Sequence, residues 1–335
     1  MKSALSCVED ALSEIKRLID ENRSFVLLEH QKPDGDCVGS GLALVLALQS
    51  LGKQALLVSN DPHPAVYDFL PGNEFHTRAQ YIEPEDFHAE VAIFIDCTDP
   101  ERAGKGLDLA KKSVWVNIDH HVSNSGFGDV SVVCPEASAT GEIVYRLLCV
   151  MGVPITKEIA TCLYVAIATD TGGFRYQNTT RSTFEIAAAL TGHGANPWEI
   201  AELVFETRSV SSVLLLGKAL NTLKISRGGK LATIAVTREM MAQAGASPDE
   251  TEGIVSYPRS ISGVEVSLFF REMEDGGGFH VSFRSRSKVD VSEIAMKLGG
   301  GGHPRAAGAL VSGTLDEASQ KVMAILDELD IWTDS

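Results

Sequence analysis

The amino-acid sequence predicts an α/β protein with an N-terminal doubly wound, mainly parallel sheet domain and a smaller C-terminal α+β domain, joined by a helical connector. Two observations support this fold class. Apolar strand patterns alternate with helical patterns through the first half of the chain, whereas the last third contains a glycine-rich hairpin. The intervening stretch is helical and is not rich in Gly and Ser. We expect domains at 1–190 and 228–335, with the connector at 191–227.

The N-terminal domain should follow an amphipathic helical pattern over residues 1–20. Val91–Ile95 and Val114–Ile118 are continuous apolar runs, which is the pattern of strands buried on both faces of a parallel sheet. Glycines end two of the helical patterns, at Gly52 and Gly152. The other candidates are the strands Phe25–Glu29 and Leu56–Ser59 and the helices Gly39–Leu51, Ala139–Met151 and Lys157–Thr169.

The rest of the chain shows a different order of elements. Residues 182–223 have a helical pattern that breaks at Gly192–Pro197, and a strand candidate follows at Leu231–Val236. The turn sequence Asp275–Gly278 lies between two further strand candidates and predicts a hairpin. The remaining candidates are the strands Val264–Arg271 and Phe279–Arg284 and the helices Val291–Leu298 and Leu315–Leu329.

The composition is that of a globular protein of about two domains, with 335 residues, 44% hydrophobic and 22% charged. The formal net charge of −16 argues against a protein that coats long nucleic acid by neutralising phosphates, although it leaves a local basic cleft open. The longest apolar stretch near the start, Leu42–Leu48, is far shorter than the roughly 20 residues that span a bilayer. We therefore expect a cytoplasmic protein without a membrane partner.

The six cysteines include no CxxC pair and lie mostly in apolar runs. Buried, reduced thiols are the expectation from this spacing.

Acidic and imidazole side chains follow three of the apolar strand patterns and one helical pattern. In open α/β sheets, ligands bind beyond the carboxyl ends of the strands, so these side chains should meet in one crevice. The residues, in chain order, are His30, Asp34 and Asp36, then Asp96, then Asp119, His120 and His121, and finally Asp170.

Each of these clusters also has a plain structural interpretation. Asp34-Gly35 is typical of a turn, Asp36 could cap the following helix, and His120-His121 could be one core and one surface residue. These interpretations do not explain why acidic and imidazole residues recur after all four strand and helix patterns. Carboxylates gathered at one place repel one another, so a divalent cation is expected there. Oxygen and imidazole ligands suit Mn²⁺, while Mg²⁺, Fe²⁺ or Zn²⁺ stays open.

A second candidate site lies in the C-terminal domain. Gly299–Gly302 could bring backbone N–H groups close to an anion, although a flexible loop is the alternative. His303 and Arg305 follow directly, and Arg284, Arg286 and Lys288 cluster near the end of the hairpin. Such a charge run is often a solvated strand face, but in an acidic chain it could also position a short polyanion.

The motifs HxxPDGDCxGS, IDCTD, DHHxxN and TDTGGF occur here in the order and at the intervals found in the DHH phosphoesterases, which this chain resembles. The segment GGGGHPRAAG at 299–308 resembles the signature of the DHH-associated domain. Together the motifs cover nearly the whole chain and are most similar to the NrnA-type group, the bifunctional oligoribonucleases (nanoRNases) and 3′-phosphoadenosine-5′-phosphate (PAP) phosphatases.

The resemblance implies two Mn²⁺ ions per chain and a role for each motif residue. His30 and Asp34 would bind the first ion, the second would be bound by Asp36, His120 and Asp170, and Asp96 would bridge both. Asp119 would hold the metal-bound imidazole of His120, and His121 would face the substrate phosphate. The residues implied in substrate binding are Arg284, Arg286, Gly300, Gly301, Gly302, His303 and Arg305.

The implied activity is a two-metal phosphodiesterase that hydrolyses very short RNA to mononucleotides, and PAP to AMP. A cyclic-dinucleotide phosphodiesterase (c-di-AMP or pApA) is the alternative within the same class, and a non-catalytic nucleic-acid-binding module is the alternative outside it. A degenerate binding protein would be expected to lack at least one of the six ligands, and none is missing here. The sequence leaves a homodimer open.

Overall fold

The computed structural model describes residues 4–83 and 85–328, which divide into two compact units between Thr207 and Arg208. The first unit contains six strands and seven α-helices among the described residues. The strands are β1 (Ser24–Leu28), β2 (Gln54–Ser59), β3 (His76–Arg78), β4 (Val91–Ile95), β5 (Val114–Asp119) and β6 (Val130–Val133). The helices are α1 (Ala4–Glu21), α2 (Gly35–Ser50), α3 (Leu107–Ala110), α4 (Thr140–Met151), α5 (Lys157–Asp170), α6 (Arg181–Gly192) and α7 (Pro197–Ala201).

The six strands of the first unit form one parallel sheet in the order β3-β2-β1-β4-β5-β6. The strand order runs one way from β1 and the other way from β4, so the topological switch point lies between these two strands. The connections that follow these two paired strands run in opposite directions, which leaves a crevice for a ligand at the carboxyl ends of the strands. The topology therefore already places the ends of β1 and β4 at the expected site.

Both faces of this sheet are covered by apolar residues, which explains why its central strands are almost wholly apolar. Phe25 and Leu27 of β1 belong to the larger cluster, together with buried residues of α1, α2, α4 and α5. Val26 and Leu28 face the smaller cluster on the opposite side. Alternate residues of one strand thus serve two cores.

Helices α2 and α5 pack closely because a glycine lies at their contact. A Cβ at Gly39 would collide with the carbonyl oxygen of Cys162 and approach the Ala166 nitrogen to 3.0 Å. This contact matters for the site, since α2 begins at the motif Asp34–Asp36 and α5 ends at Asp170.

The second unit contains a mixed sheet in the order β11-β12-β10-β9-β8-β7, in which only β8 and β9 are parallel. Its strands are β7 (Lys224–Ser226), β8 (Leu231–Val236), β9 (Val266–Glu272), β10 (Gly278–Ser285), β11 (Gly301–His303) and β12 (Ala306–Ser312). Its helices are α8 (Val210–Leu220), α9 (Arg238–Ala244), α10 (Ser256–Ser260), α11 (Val291–Lys297) and α12 (Leu315–Glu328).

The predicted fold class is confirmed, and the differences lie in helix starts and in strands that were not predicted, the longest of which is the seven-residue β12. Strands β3, β6, β7 and β11 were not predicted, because three or four residues at a sheet edge carry too little apolar pattern to stand out. Strand β12 was not predicted because it begins with small residues directly after the glycine run. Helix α2 begins at Gly35 rather than Gly39, since the Asp34 carboxylate caps it. The first residues of the expected N-terminal helix and Leu329 lie outside the described residues.

Five cysteines are described as free thiols, and four of them are buried as expected. Cys149 is exposed, contrary to the expectation, because it lies on the outer face of α4 near the helix end. In the part of the chain that the structure describes, no helix is long and apolar enough to span a membrane.

Replacing Gly39 by Ala should destabilise the protein by about 1–3 kcal/mol, because the added methyl group collides with the α5 backbone, which cannot move aside. Thermal unfolding followed by circular dichroism measures this loss. Gly192→Ala is the matched control in the same unit, because a Cβ there meets no atom within 4 Å. Equal melting temperatures for the two variants would show that the α2–α5 contact tolerates a larger separation.

Candidate metal centre

The ends of β1 and β4 deliver the first two predicted site residues to the switch point. His30 lies two residues beyond β1 and is 4% exposed, and Asp96 directly follows β4 and is 2% exposed. Asp96 has a φ of 56°, which is unusual for a residue other than glycine. Its amide donates to the Ile118 carbonyl at 3.0 Å, so β5 holds this turned backbone in place. Backbone strain of this kind is often retained at functional sites.

Helix α2 supplies two carboxylates from its first turn. The Asp34 Oδ1 atom accepts hydrogen bonds from the amides of Asp36 and Cys37, each at 3.1 Å, while the residue stays exposed. Asp36 is buried, and its Oδ1 atom accepts the Ser40 hydroxyl at 3.0 Å. Asp34 is therefore exposed to solvent, whereas Asp36 points into the interior.

The N-terminus of α4 binds the Asp36 carboxylate from the other side. The amides of Thr140 and Gly141 donate to its two oxygens at 2.6 and 2.9 Å, and the Thr140 hydroxyl donates to Asp96 Oδ1 at 2.8 Å. A helix N-terminus stabilises negative charge through its free N–H groups and its dipole. Thr140 and Gly141 were not among the predicted site residues; the signal for them was a helix start that follows a strand at the same sheet edge.

The segment after β5 positions two imidazoles differently from the expectation. Asp119 Oδ1 accepts a hydrogen bond from His121 Nδ1 at 2.7 Å, so Asp119 orients the imidazole of His121 and not that of His120. It reaches His120 only through the backbone amide, also at 2.7 Å, whereas His120 Nδ1 faces the Ala137 carbonyl at 3.2 Å. Asn124 donates to Asp119 Oδ2 at 2.6 Å and fixes the carboxylate.

Asp170 is the last residue of α5 and is partly exposed. The Asn178 side-chain amide donates to the Asp170 carboxylate at 3.2 Å and to its carbonyl at 3.1 Å. Asn178 was not among the predicted site residues, although it lies only a few residues beyond the motif TDTGGF. The sequence does not show that Asn178 holds Asp170, because this contact depends on the conformation of the loop between the two residues.

These residues form three overlapping groups that could each hold a metal ion, one of them Asp96 with His120 and His121. The other two share no residue: one is His30, Asp34 and Asp96, and the other is Asp36, His120 and Asp170. Asp96 lies between them: its Oδ2 is 3.6 Å from His30 Nε2, and its Oδ1 is 3.8 Å from His120 Nε2. Each oxygen of one buried carboxylate thus faces a different group. His121 Nδ1 also lies 3.6 Å from Asp96 Oδ1.

The electrostatics of the cluster reflect burial and like charges. Burial raises the pKa of Asp36 well above its usual value, and the carboxylates of Asp96 and Asp170 raise it further. Burial likewise raises the pKa of Asp170 to about 6. Cations placed beside such carboxylates would remove this penalty. The cluster is therefore chemically suited to divalent ions.

Neighbouring imidazoles lower the pKa of Asp96. Burial alone would raise its pKa, but the neighbouring imidazoles of His30, His121 and His120 outweigh burial and lower it. The hydrogen bond to Asp119 raises the pKa of His121 to about 9.

The second unit holds the predicted substrate-binding residues around the ends of β10, β11 and β12. Arg284 pairs with Ala306 across the sheet, and the Arg305 carbonyl accepts the Ser285 amide at 3.1 Å. The Arg305 guanidinium donates to the Val289 carbonyl at 2.8 Å. Arg286 is turned toward two other backbone carbonyls, those of Arg259 and Ile261, at 2.9 and 3.1 Å. The fold brings Arg284 and the backbone of Arg305 close together.

The glycine run is required by packing at two positions. A Cβ at Gly300 would collide with the Gly308 carbonyl, and one at Gly302 with the backbone of Ala307, because both glycines lie against β12. The amide of Gly300 is also used, since it donates to the Ala295 carbonyl at 2.8 Å. Gly301 has open space at its α-carbon. Packing therefore accounts for part of the run without an anion, and substrate binding there stays a prediction.

Comparison with known proteins agrees with the motifs. Residues 24–167 match the N-terminal domain of the DHH family, and residues 228–333 match the DHHA1 domain. The chain therefore belongs to the DHH family of metal-dependent phosphoesterases.

Two curated relatives and one solved structure illustrate the similarity. The bifunctional oligoribonuclease and PAP phosphatase NrnA of Thermus thermophilus is 39% identical over 304 residues, which is 90% of this chain and 88% of the relative. The Bacillus subtilis protein of the same name is 27% identical over 95% of this chain and 98% of the relative. An exopolyphosphatase-related protein from Bacteroides fragilis has a TM-score of 0.91 at 28% identity, with 96% of each chain covered.

The metal-free protein should lose stability as the pH rises from about 5 to 8. Asp170 and His121 both have raised pKa values when folded, so the folded state binds more protons than the unfolded state across this range. Added Mn²⁺ should reverse the trend, because it replaces those protons and binds better at higher pH. Thermal melts of chelated and Mn²⁺-loaded protein at several pH values measure both effects.

Asp170→Asn is the informative variant for this prediction. Removing one carboxylate from the cluster should raise the melting temperature of the metal-free protein near neutral pH and reduce the gain on adding Mn²⁺. A lower melting temperature for the metal-free variant would contradict the view that like-charge repulsion dominates the metal-free cluster.

Proposed function

We propose that this protein is a two-metal phosphodiesterase that hydrolyses very short RNA oligonucleotides to nucleoside monophosphates and also converts PAP to AMP. The observation that carries the proposal is the position of Asp96, whose two carboxylate oxygens face two separate ligand groups. A non-catalytic binding module would not need this arrangement. The substrates are proposed from the names of the relatives, which cover nearly their full length in the comparison.

The ligand sets follow from the two groups. We assign His30 and Asp34 to one ion, Asp36, His120 and Asp170 to the other, and Asp96 to both. With four carboxylates and two imidazoles, the donors are mostly oxygen, which favours Mn²⁺ over softer ions and leaves Mg²⁺ as a weaker candidate. If bound by these residues, two such ions would supply activation of a water for attack on phosphorus and neutralisation of the charge that develops there.

His121 is the residue that we assign to the substrate phosphate. Asp119 accepts a hydrogen bond from His121 Nδ1, which fixes the ring, and we assign Nε2 as the donor to the substrate phosphate. The raised pKa of His121 keeps the ring protonated near neutral pH, as a donor to a phosphate oxygen requires. Asp119 is thus the positioning residue, fixed in turn by Asn124.

In the second unit we assign substrate binding to Arg284, Arg286, Gly300, Gly301, Gly302, His303 and Arg305. The guanidinium groups of Arg284 and Arg305 provide donors that suit phosphate oxygens. Arg286 is the weakest candidate for substrate binding, because its guanidinium already donates to two backbone carbonyls.

A cytoplasmic location stays a prediction of the sequence.

Asp96→Asn should lower kcat/KM for a dinucleotide on the order of 1,000-fold or more while the protein stays folded. The change removes a charged ligand shared by both ions, and asparagine tolerates the positive φ at this position. Hydrolysis with Mn²⁺, metal content and circular dichroism are the measurements. The exposed Asp108, which pairs with Lys111, provides the control Asp108→Asn. Wild-type turnover in Asp96→Asn would rule out the bridging role.

Specificity should be highest for substrates of about two to five nucleotides and lower for a strand of about 24 nucleotides. Because the chain has a net charge of −16, a long strand that extends beyond the assigned basic residues should be repelled rather than neutralised at its phosphates. The decrease should be smaller at high salt, since salt screens the repulsion. A panel of labelled oligonucleotides, PAP and cyclic di-AMP tests this expectation. Preference for the long strand at low salt would indicate a general exonuclease, and preference for cyclic di-AMP would favour the cyclic-dinucleotide alternative.

A further inference from the structure

We propose a second, separate metal site in the first unit, formed by Glu29, His63 and His76, which binds one divalent transition-metal ion of the Zn²⁺ type. The three side chains offer donor atoms that all lie within 4.8 Å of one another. None of them belongs to the motif cluster at the switch point. This proposal does not rest on the catalytic function proposed above.

Three separate parts of the chain meet at this site. Glu29 directly follows β1 and still pairs with β2 through its amide, which donates to the Val58 carbonyl at 3.0 Å. His63 lies in the irregular segment after β2, and His76 is the first residue of the edge strand β3. His76 pairs with Leu57 of β2 and so points to the same face of the sheet as that residue. Side chains this far apart in sequence meet only through the fold.

The Glu29 carboxylate is the observation that points to a ligand. Glu29 is completely buried, and its Oε1 atom has no hydrogen-bond partner among the residues that the structure describes. Its Oε2 atom accepts a hydrogen bond from His63 Nε2 at 2.8 Å, and His76 Nε2 lies 3.8 Å from the same oxygen. Leaving a buried carboxylate oxygen unpaired is unfavourable, and a cation beside it removes the penalty.

Two of the three donor separations bracket the value expected around a tetrahedral ion. With Zn–N and Zn–O bonds of about 2.0–2.1 Å, neighbouring ligand atoms lie roughly 3.3 Å apart. The two nitrogen-to-oxygen distances in the cluster, 2.8 and 3.8 Å, lie on either side of that value. The imidazole rings now stack with centroids 3.5 Å apart. An ion would take the place of the proton between His63 Nε2 and Glu29. It would also replace the hydrogen bond of 2.9 Å between His76 Nε2 and the Ser59 hydroxyl. As the rings turn apart, the proton on each Nε2 would move to Nδ1 of a neutral ring or pass to solvent from a charged one, which leaves both imidazoles neutral.

The donor set separates this site from the motif cluster. Two imidazoles and one carboxylate favour Zn²⁺, Fe²⁺ or Co²⁺, whereas the oxygen-rich motif cluster favours Mn²⁺ or Mg²⁺. Access is also available, because both histidines line a surface cavity of about 540 Å³ together with Asp68, Asn73 and Arg78. Solvent in that cavity would complete the coordination that three protein ligands leave open. A bound ion would join the end of β1 to the edge strand β3.

The test is the zinc content of the full-length protein after chelation and dialysis against a buffered solution of Zn²⁺. His63→Ala should bind one zinc ion per chain fewer than the wild type, with its affinity for this ion reduced on the order of 100-fold or more. The Co²⁺-loaded wild type should show a visible absorption component that His63→Ala lacks. Because the measurement is a difference between two proteins, it holds whatever the motif cluster binds.

Mn²⁺-dependent hydrolysis should be unchanged in His63→Ala, which separates this proposal from the proposed function. His193→Ala, at an exposed histidine that follows α6, is the matched control and should keep the wild-type zinc content. Glu29→Gln and His76→Ala should remove the same ion, so they replace His63→Ala if that variant does not fold. Equal zinc content in the wild type and the folded variants would overturn the proposal. Loss of zinc together with loss of Mn²⁺-dependent hydrolysis would overturn the claim that the site is separate.

Discussion

The interaction on which the rest of the first unit depends is the mutual repulsion of carboxylates that one sheet edge brings together. Asp36, Asp96 and Asp119 are all nearly inaccessible to solvent. Such a group is tolerated only if donors and cations compensate it. The fold supplies the donors: the α4 N-terminus binds Asp36, imidazoles surround Asp96, and Asn124 binds Asp119. Divalent ions would complete this compensation.

The same constraint explains the connections between elements. At the switch point of a doubly wound sheet, the connections that follow two neighbouring strands run in opposite directions. Bulky charged groups can therefore meet there without breaking the hydrogen bonds of the strands. Helices α2 and α5 must then approach closely to bring Asp36 and Asp170 into reach, and Gly39 permits that approach. Packing at a glycine thus has a direct consequence for the geometry of the site.

Two neighbouring residues after β1 belong to different chemical environments. His30 faces the oxygen-rich cluster of the motifs, whereas Glu29 meets two histidines from β3 and the segment before it. The sequence motifs include His30 but do not identify Glu29 as a site residue, because its partners His63 and His76 lie in a stretch without a recognisable pattern. An oxygen-rich and a nitrogen-rich ligand set at adjacent residues would allow one protein to hold different metals at separate positions.

The sequence by itself determined the fold class, most strands and the family, because continuous apolar runs and charged residues at their ends are local patterns. Tertiary structure alone decided three other matters. It showed that Asp119 holds His121 rather than His120, that Thr140 and Asn178 fix the carboxylates, and that Gly300 and Gly302 are required by close contact with β12. Each of these depends on which backbone group lies opposite a side chain, and that is settled by the packing of elements distant in the chain.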